Sequence, residues 1–120
     1  MDKQEIQDQK IAKITFASVY PYYVAKVEKK GRTIQELHTV IEWLTSFNEQ
    51  QIIGFIESKI SFKEFFEQAT LNQNAHLIKG TICGYKVEEL KNPLTQKVRY
   101  LDKLIDELAK GKSLDKILRT

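Results

Sequence analysis

Asn92-Pro93-Leu94-Thr95-Gln96-Lys97-Val98-Arg99-Tyr100-Leu101-Asp102-Lys103-Leu104-Ile105-Asp106-Glu107-Leu108-Ala109-Lys110-Gly111 decides the fold. Asparagine followed by proline reads as an N-cap with proline at the first helical position, where a missing N–H removes no intrahelical bond. Leu94, Val98, Leu101, Ile105 and Leu108 then recur at alternating spacings of four and three, with Leu104 widening the seam. Gly111 supplies the stop. A helix over 93–110 follows, long enough to be the one on which the others pack. Opposite charges one turn apart predict the pairs Lys103–Glu107 and Asp106–Lys110.

Working outward, similar start signals recur upstream. Thr33-Ile34-Gln35-Glu36 and Ser61-Phe62-Lys63-Glu64 are capping boxes, in which hydroxyl and carboxylate satisfy each other's backbone N–H. Ile34, Leu37, Val40, Ile41 and Leu44 form a buried stripe after the first. Phe62, Phe65, Phe66 and Ala69 follow the second. Asn48 caps a helix carrying Ile52, Phe55 and Ile56, with Gly54 inside it. Ser18 is expected to cap another that holds Pro21 in its first turn and ends at Gly31, with Tyr20, Tyr23, Val24 and Val27 inward. Residues 1–13 read as a frayed arm or a short helix, 70–76 as a loop, and Ser113 as the cap of a last short helix. Residues 77–91 are ambiguous: a short helix ending near Lys91 competes with a strand at 81–87, which has no evident partner. The expectation is an all-α, compact bundle of about five to seven helices around the long one near 93–110, forming a single domain over 1–120.

Composition agrees. Of 120 residues, 42% are hydrophobic and 29% charged, with only 5 Gly and 2 Pro, which disfavours a turn-rich sandwich or a linker. The lone Cys83 excludes an internal disulfide and suits a reducing compartment. The polar N-terminus is unlike a signal peptide, and the longest uncharged stretch near it, 14–25, is too short to span a bilayer. A cytoplasmic protein without membrane contact is expected. The net charge is +3, with an acidic middle (two Lys against six Glu over 33–78) between two mildly basic ends.

Several stretches together resemble a known bacterial family. They are Phe16-Ala17-Ser18-Val19-Tyr20-Pro21, Tyr23-Val24-Ala25-Lys26, Lys29-Lys30-Gly31-Arg32-Thr33, Trp43-Leu44-Thr45, Cys83-Gly84, Val87-Glu88-Glu89, and Arg99 through Lys112. In this order they are similar to the family named domain of unknown function 2200, over nearly the whole chain beyond the first dozen residues. The resemblance implies a small helical bacterial protein. It supplies no activity, cofactor or catalytic residue. Lys86 and Asn92 depart from the family pattern, where an arginine and an acidic residue stand.

Chemistry-bearing patterns are sparse. His38, His76 and Cys83 have no metal-ligand spacing, so no metal and no cofactor is expected. Cys83 would be an activated thiol only if the fold joined it to His76. Lys79-Gly80-Thr81-Ile82-Cys83-Gly84-Tyr85-Lys86 lacks the order of a phosphate-binding loop and reads as a turn. Glu88-Glu89 and Asp106-Glu107 diverge on a helix, which predicts solvated or ion-paired carboxylates. No catalytic residue is assigned, and the chain is read as leaning away from an enzyme.

Three surfaces remain. Trp43 lies roughly 120° from the stripe of its helix, with Phe47 one turn on, a candidate interface for self-association or another protein. Lys26, Lys29, Lys30 and Arg32, beside Tyr22, form a candidate basic surface for nucleic acid. Tyr20, Tyr23, Arg99, Tyr100, Asp102 and Lys103 have the residue types of a candidate pocket for proton transfer or anion binding. The leading expectation is a non-enzymatic, homo-oligomeric interaction module, with a nucleic-acid-associated protein second and an enzyme or small-ligand binder third.

Overall fold

In the computed structural model, which describes residues 2–119, the expected central helix is present as α6 (Pro93–Ala109). Asn92 caps it by accepting from the Thr95 N–H, and Pro93 takes the first turn. Val98, Leu101, Leu104, Ile105 and Leu108 are at most 4% exposed, and Thr95, Tyr100, Glu107 and Ala109 are buried too. Burial on more than one face follows from position, because the other helices surround it.

Those are α1 (Lys3–Lys13), α2 (Phe16–Glu28), α3 (Ile34–Thr45), α4 (Glu49–Glu57), α5 (Phe62–Gln68) and α7 (Leu114–Ile117). Of them, α1, α2, α3, α5 and α7 pack on α6, while α4 packs on α2 and α3. The mostly helical reading therefore holds, with seven α-helices among the described residues. The arm reading of the first residues gives way to the helix: Asp2 caps α1, Ile11 is buried, and the Thr95 hydroxyl donates to Asp8 at 2.6 Å.

Both expected capping boxes form, and Asn48 makes a third with Gln51. Ile34 of the predicted stripe is an exception, at 40% exposed, because it sits in the first turn beyond the packed seam. The cap of α2 also differs from expectation. Thr15, not Ser18, is the N-cap, and Ser18 is the residue whose N–H it accepts. The cause is tertiary. Thr15 pairs with Ser61 as an isolated antiparallel bridge, with Phe16 N–H donating to Ile60 O at 3.1 Å and Phe62 N–H to Ile14 O at 2.8 Å. This pairing holds Thr15 extended and starts the helix one turn earlier, so Pro21 falls inside it rather than in its first turn.

Residues 77–91 contain neither a lone strand nor an α-helix. β1 (Thr81–Ile82) and β2 (Tyr85–Lys86) pair antiparallel, Thr81 with Lys86 and Ile82 with Tyr85, before a short 3₁₀ turn at Val87–Glu89. Cys83 and Gly84 between them have φ of 53° and 83°. Positive φ at both central residues is the tight hairpin turn whose twist matches the strands. The missing partner of the predicted strand is thus its own second half.

One buried core joins these elements. Its densest part is aromatic: Phe65, fully buried, stacks on Phe16 at 4.7 Å between centroids and meets Phe47, Phe55, Phe62 and Phe66 edge-on.

Candidate functional site

Two seams between helices collect the side chains with acid–base chemistry. The first lies between α2 and α6. Tyr23 OH donates to Asp102 Oδ1 at 3.3 Å, and Arg99 Nη1 donates to Asp102 Oδ2 at 2.9 Å. The Arg99 guanidinium lies over the Tyr85 ring of the hairpin, 5.7 Å from its centroid. Burial pushes the Tyr23 hydroxyl well above its ordinary value, and the Asp102 charge and hydrogen bond push the same way. Burial also raises the Asp102 carboxyl, although Arg99 and Tyr23 pull it down. Desolvation outweighs the ion pair here, as expected when a carboxylate loses most of its water. Arg99 Nε is buried without a hydrogen-bond partner among the described residues.

The second seam joins α2, α3 and α4. His38, 5% exposed, sits between the Tyr20 hydroxyl, 2.5 Å from Nε2, and the Glu49 carboxylate, both of whose oxygens are 2.8 Å from Nδ1. The Glu49 carboxylate only accepts, so Nδ1–H donates to it, and the Tyr20 hydroxyl bonds Nε2 on the other side of the ring. Burial raises the Tyr20 hydroxyl, with the charges of Glu49 and Glu28 adding to it, which keeps the phenol protonated. The sequence carries one hint of this row, a histidine at the edge of an apolar stripe. Glu49, the first residue of the next helix, is joined to it only by the fold.

Of the six candidate pocket residues, the structure therefore brings together three, Tyr23, Arg99 and Asp102. Tyr20 belongs to the His38 row. Tyr100 is buried, which raises its hydroxyl, and Lys103 Nζ donates to Thr81 O at 3.3 Å. Lys103 does not reach Glu107 as expected. Glu107 is instead held by Arg119, through two contacts of 2.8 Å, and by Lys112 at 3.6 Å. The Asp106–Lys110 pair is present at 3.0 Å, and Lys26 reaches the other Asp106 oxygen at 3.2 Å. Burial would raise Asp106, but hydrogen bonds from Lys110 and Lys26 outweigh it and hold its carboxyl below the ordinary value.

The aromatic and basic candidates separate in the same way. Phe47 is 4% exposed and packs on Phe55 and Phe65, at 4.8 and 5.0 Å. The chain leaves α3 after Thr45, and Ser46 adopts φ of 65°, which turns Phe47 inward rather than beside Trp43. Phe47 is a core residue, and Trp43 is half-buried, packed against the same core. The Trp43 indole Nε1 is buried without a partner among the described residues. Arg32 is likewise a correction. It donates to Glu36, to Leu108 O at 3.2 Å and to Lys112 O at 2.8 Å, which fastens the loop after α2 to the end of α6. Glu36 is lowered chiefly by that Arg32 hydrogen bond. Lys29 and Lys30 remain exposed.

Among the described residues, no three His, Cys, Asp or Glu side chains gather as a metal site, and no helix is long and apolar enough to cross a membrane. His76 Nδ1 is taken up by Gln73 O at 2.9 Å, and Cys83 is exposed at the hairpin tip.

Fold and seams together define a small, mostly helical protein built around one buried helix and tied by polar contacts between its neighbours. The chain belongs to the family described as "Uncharacterized protein conserved in bacteria (DUF2200)", which matches residues 10–119. It is similar to the crystal structure of uncharacterized protein SP1917, with a TM-score of 0.86 and 39% identity over 92% of this chain and 91% of that one. No curated protein matches it. The family and the structural neighbour establish the fold and leave the function unknown.

Proposed function

We propose that the chain is a non-enzymatic interaction module that holds a macromolecular partner on its surface. The observation behind this is how its acid–base side chains are used. Tyr20, His38 and Glu49 are bonded to one another, as are Tyr23, Asp102 and Arg99. Five surface grooves of about 480 to 630 Å³ are lined without any of these six. A general base must reach a proton on substrate; groups that satisfy each other across helix seams serve packing, and of the six only the Glu49 side chain is more than half exposed, at 55%. The same reading keeps the protein in the cytoplasm, where an exposed lone thiol such as Cys83 stays reduced.

Site-specific photo-crosslinking in living cells tests this. A photoreactive residue is placed in turn at Lys110, Ile53 and Leu77, three exposed positions on different elements. The reading expects a discrete macromolecular adduct from at least one. Absence of any macromolecular adduct, of protein or of nucleic acid, from all three would overturn it, as would turnover of a small metabolite that His38→Gln or Asp102→Asn abolishes in a folded protein.

A further inference from the structure

The C-terminal ends of α2 and α6 lie side by side. Contacts step along both helices in the same direction, from Tyr23–Asp102 to Lys26–Asp106 to Arg32 on the Leu108 and Lys112 carbonyls. A groove of about 550 Å³ opens there, lined by Lys103, Lys110, Lys112 and Lys116. Asp106 and Glu107 line it too, but each is already shared by two cations. Over residues 22–32 and 103–116, eight Lys and Arg stand against four Asp and Glu. Some of this charge complements the negative ends of two helices, and Arg32 does so directly. Lys29, Lys30 and Lys116 are exposed and form none of the ion pairs found among the described residues.

An aromatic group completes the surface. Tyr22 is 75% exposed, the most exposed large apolar side chain among the described residues. It lies one turn before Lys26 on α2, so the two share a face. Lys26 and Lys110 meet on Asp106, which makes the ridge of α2 continuous with the groove.

We propose that this surface, from Tyr22 across Lys26 to the groove of Lys103, Lys110, Lys112 and Lys116, binds single-stranded nucleic acid, with the lysines on phosphates and Tyr22 stacked on a base. The inference rests on the binding-module reading and names its partner. Lysines supply sequence-independent phosphate contacts, and an exposed ring supplies the stacking platform that separates a nucleic acid from other phosphate polymers.

The test is fluorescence anisotropy with labelled ten-nucleotide single strands of RNA and DNA, and with inorganic polyphosphate as competitor. With about four phosphates engaged, raising salt from roughly 50 to 200 mM weakens binding about 50-fold. Lys110→Glu with Lys116→Glu lowers the salt slope by about 1.4. Tyr22→Ala weakens the oligonucleotides by roughly ten-fold while polyphosphate competes as before. Circular dichroism confirms that these exposed variants remain folded. No binding at 50 mM salt, binding indifferent to the lysine pair, or polyphosphate binding without oligonucleotide binding each overturns the proposal. A protein adduct in the crosslinking experiment without oligonucleotide binding removes this inference alone; absence of both removes the binding-module reading with it.

Discussion

Phe47→Ala separates the two roles the sequence allows for that residue. In the structure Phe47 is 4% exposed and meets the edges of Phe55 and Phe65, so truncation leaves a hole among aromatic rings. Buried Phe→Ala changes cost about 3–5 kcal/mol, transfer and cavity together. The site lies between two rings held from other sides, so it has little room to collapse, and we expect a cost of at least about 3.5 kcal/mol. A chain of 120 residues loses about 0.25 kcal/mol per kelvin near its midpoint, which converts this to a Tm drop of about 14 °C. Urea unfolding followed by circular dichroism should show a lower midpoint at unchanged slope. Phe47→Leu, which keeps much of the volume, should cost under about 1.5 kcal/mol. Light scattering completes the assay, with Trp43→Ala alongside. A Phe47→Ala protein that keeps its unfolding free energy within about 1 kcal/mol of the parent but halves its mass in solution would return the residue to an interface and refute the packing argument.

The two α6 aspartates titrate with opposite signs. Asp106 is lowered in the folded state, so its contribution exists above the unfolded value and is lost as pH falls through the folded one. Asp102 is raised, so its contribution is present at low pH and lost as pH rises through its folded value. Urea midpoints from pH 2 to 7 should therefore show wild type gaining on Asp106→Asn and losing ground to Asp102→Asn as pH rises; parallel curves would contradict both assignments. The His38 row predicts coupling. Tyr20→Phe and Glu49→Gln, each tested with and without His38→Gln, should give interaction energies of about 0.5–3 kcal/mol in a double-mutant cycle, and strict additivity would mean the row is not a unit. At the hairpin, Gly84→Val should destabilise by at least about 1 kcal/mol because φ is 83°, whereas Cys83→Asn should be tolerated or mildly stabilising in thermal melts.

The helices and most of their caps are legible without coordinates because the interactions that make them are short in sequence. Thr33 with Glu36, Ser61 with Glu64 and Asn92 before Pro93 each act within one turn, and the α6 seam needs only its own spacing. Where a partner comes from elsewhere, periodicity is silent. The bridge from Thr15 to Ser61 moved the cap of α2. A left-handed Ser46 turned Phe47 from a wheel position beside Trp43 into the core. Two positive φ angles folded one strand back on itself. Glu107 chose Arg119 over the lysine one turn away.

The site follows the same division. Tyr23, Arg99 and Asp102 could be named as chemistry-bearing types, but only packing of α2 on α6 and burial beneath the hairpin set which of them meet and the direction of their titration. The basic surface was partly legible as Lys26, Lys29 and Lys30. Its continuation into Lys110 and Lys116 depends on two distant helices running parallel. The sequence alone determined a small helical protein of a recognisable bacterial family, because helix signals and family motifs are local. Tertiary structure decided which polar side chains are spent on the fold and which remain free, because charges and hydrogen bonds depend on distance in space.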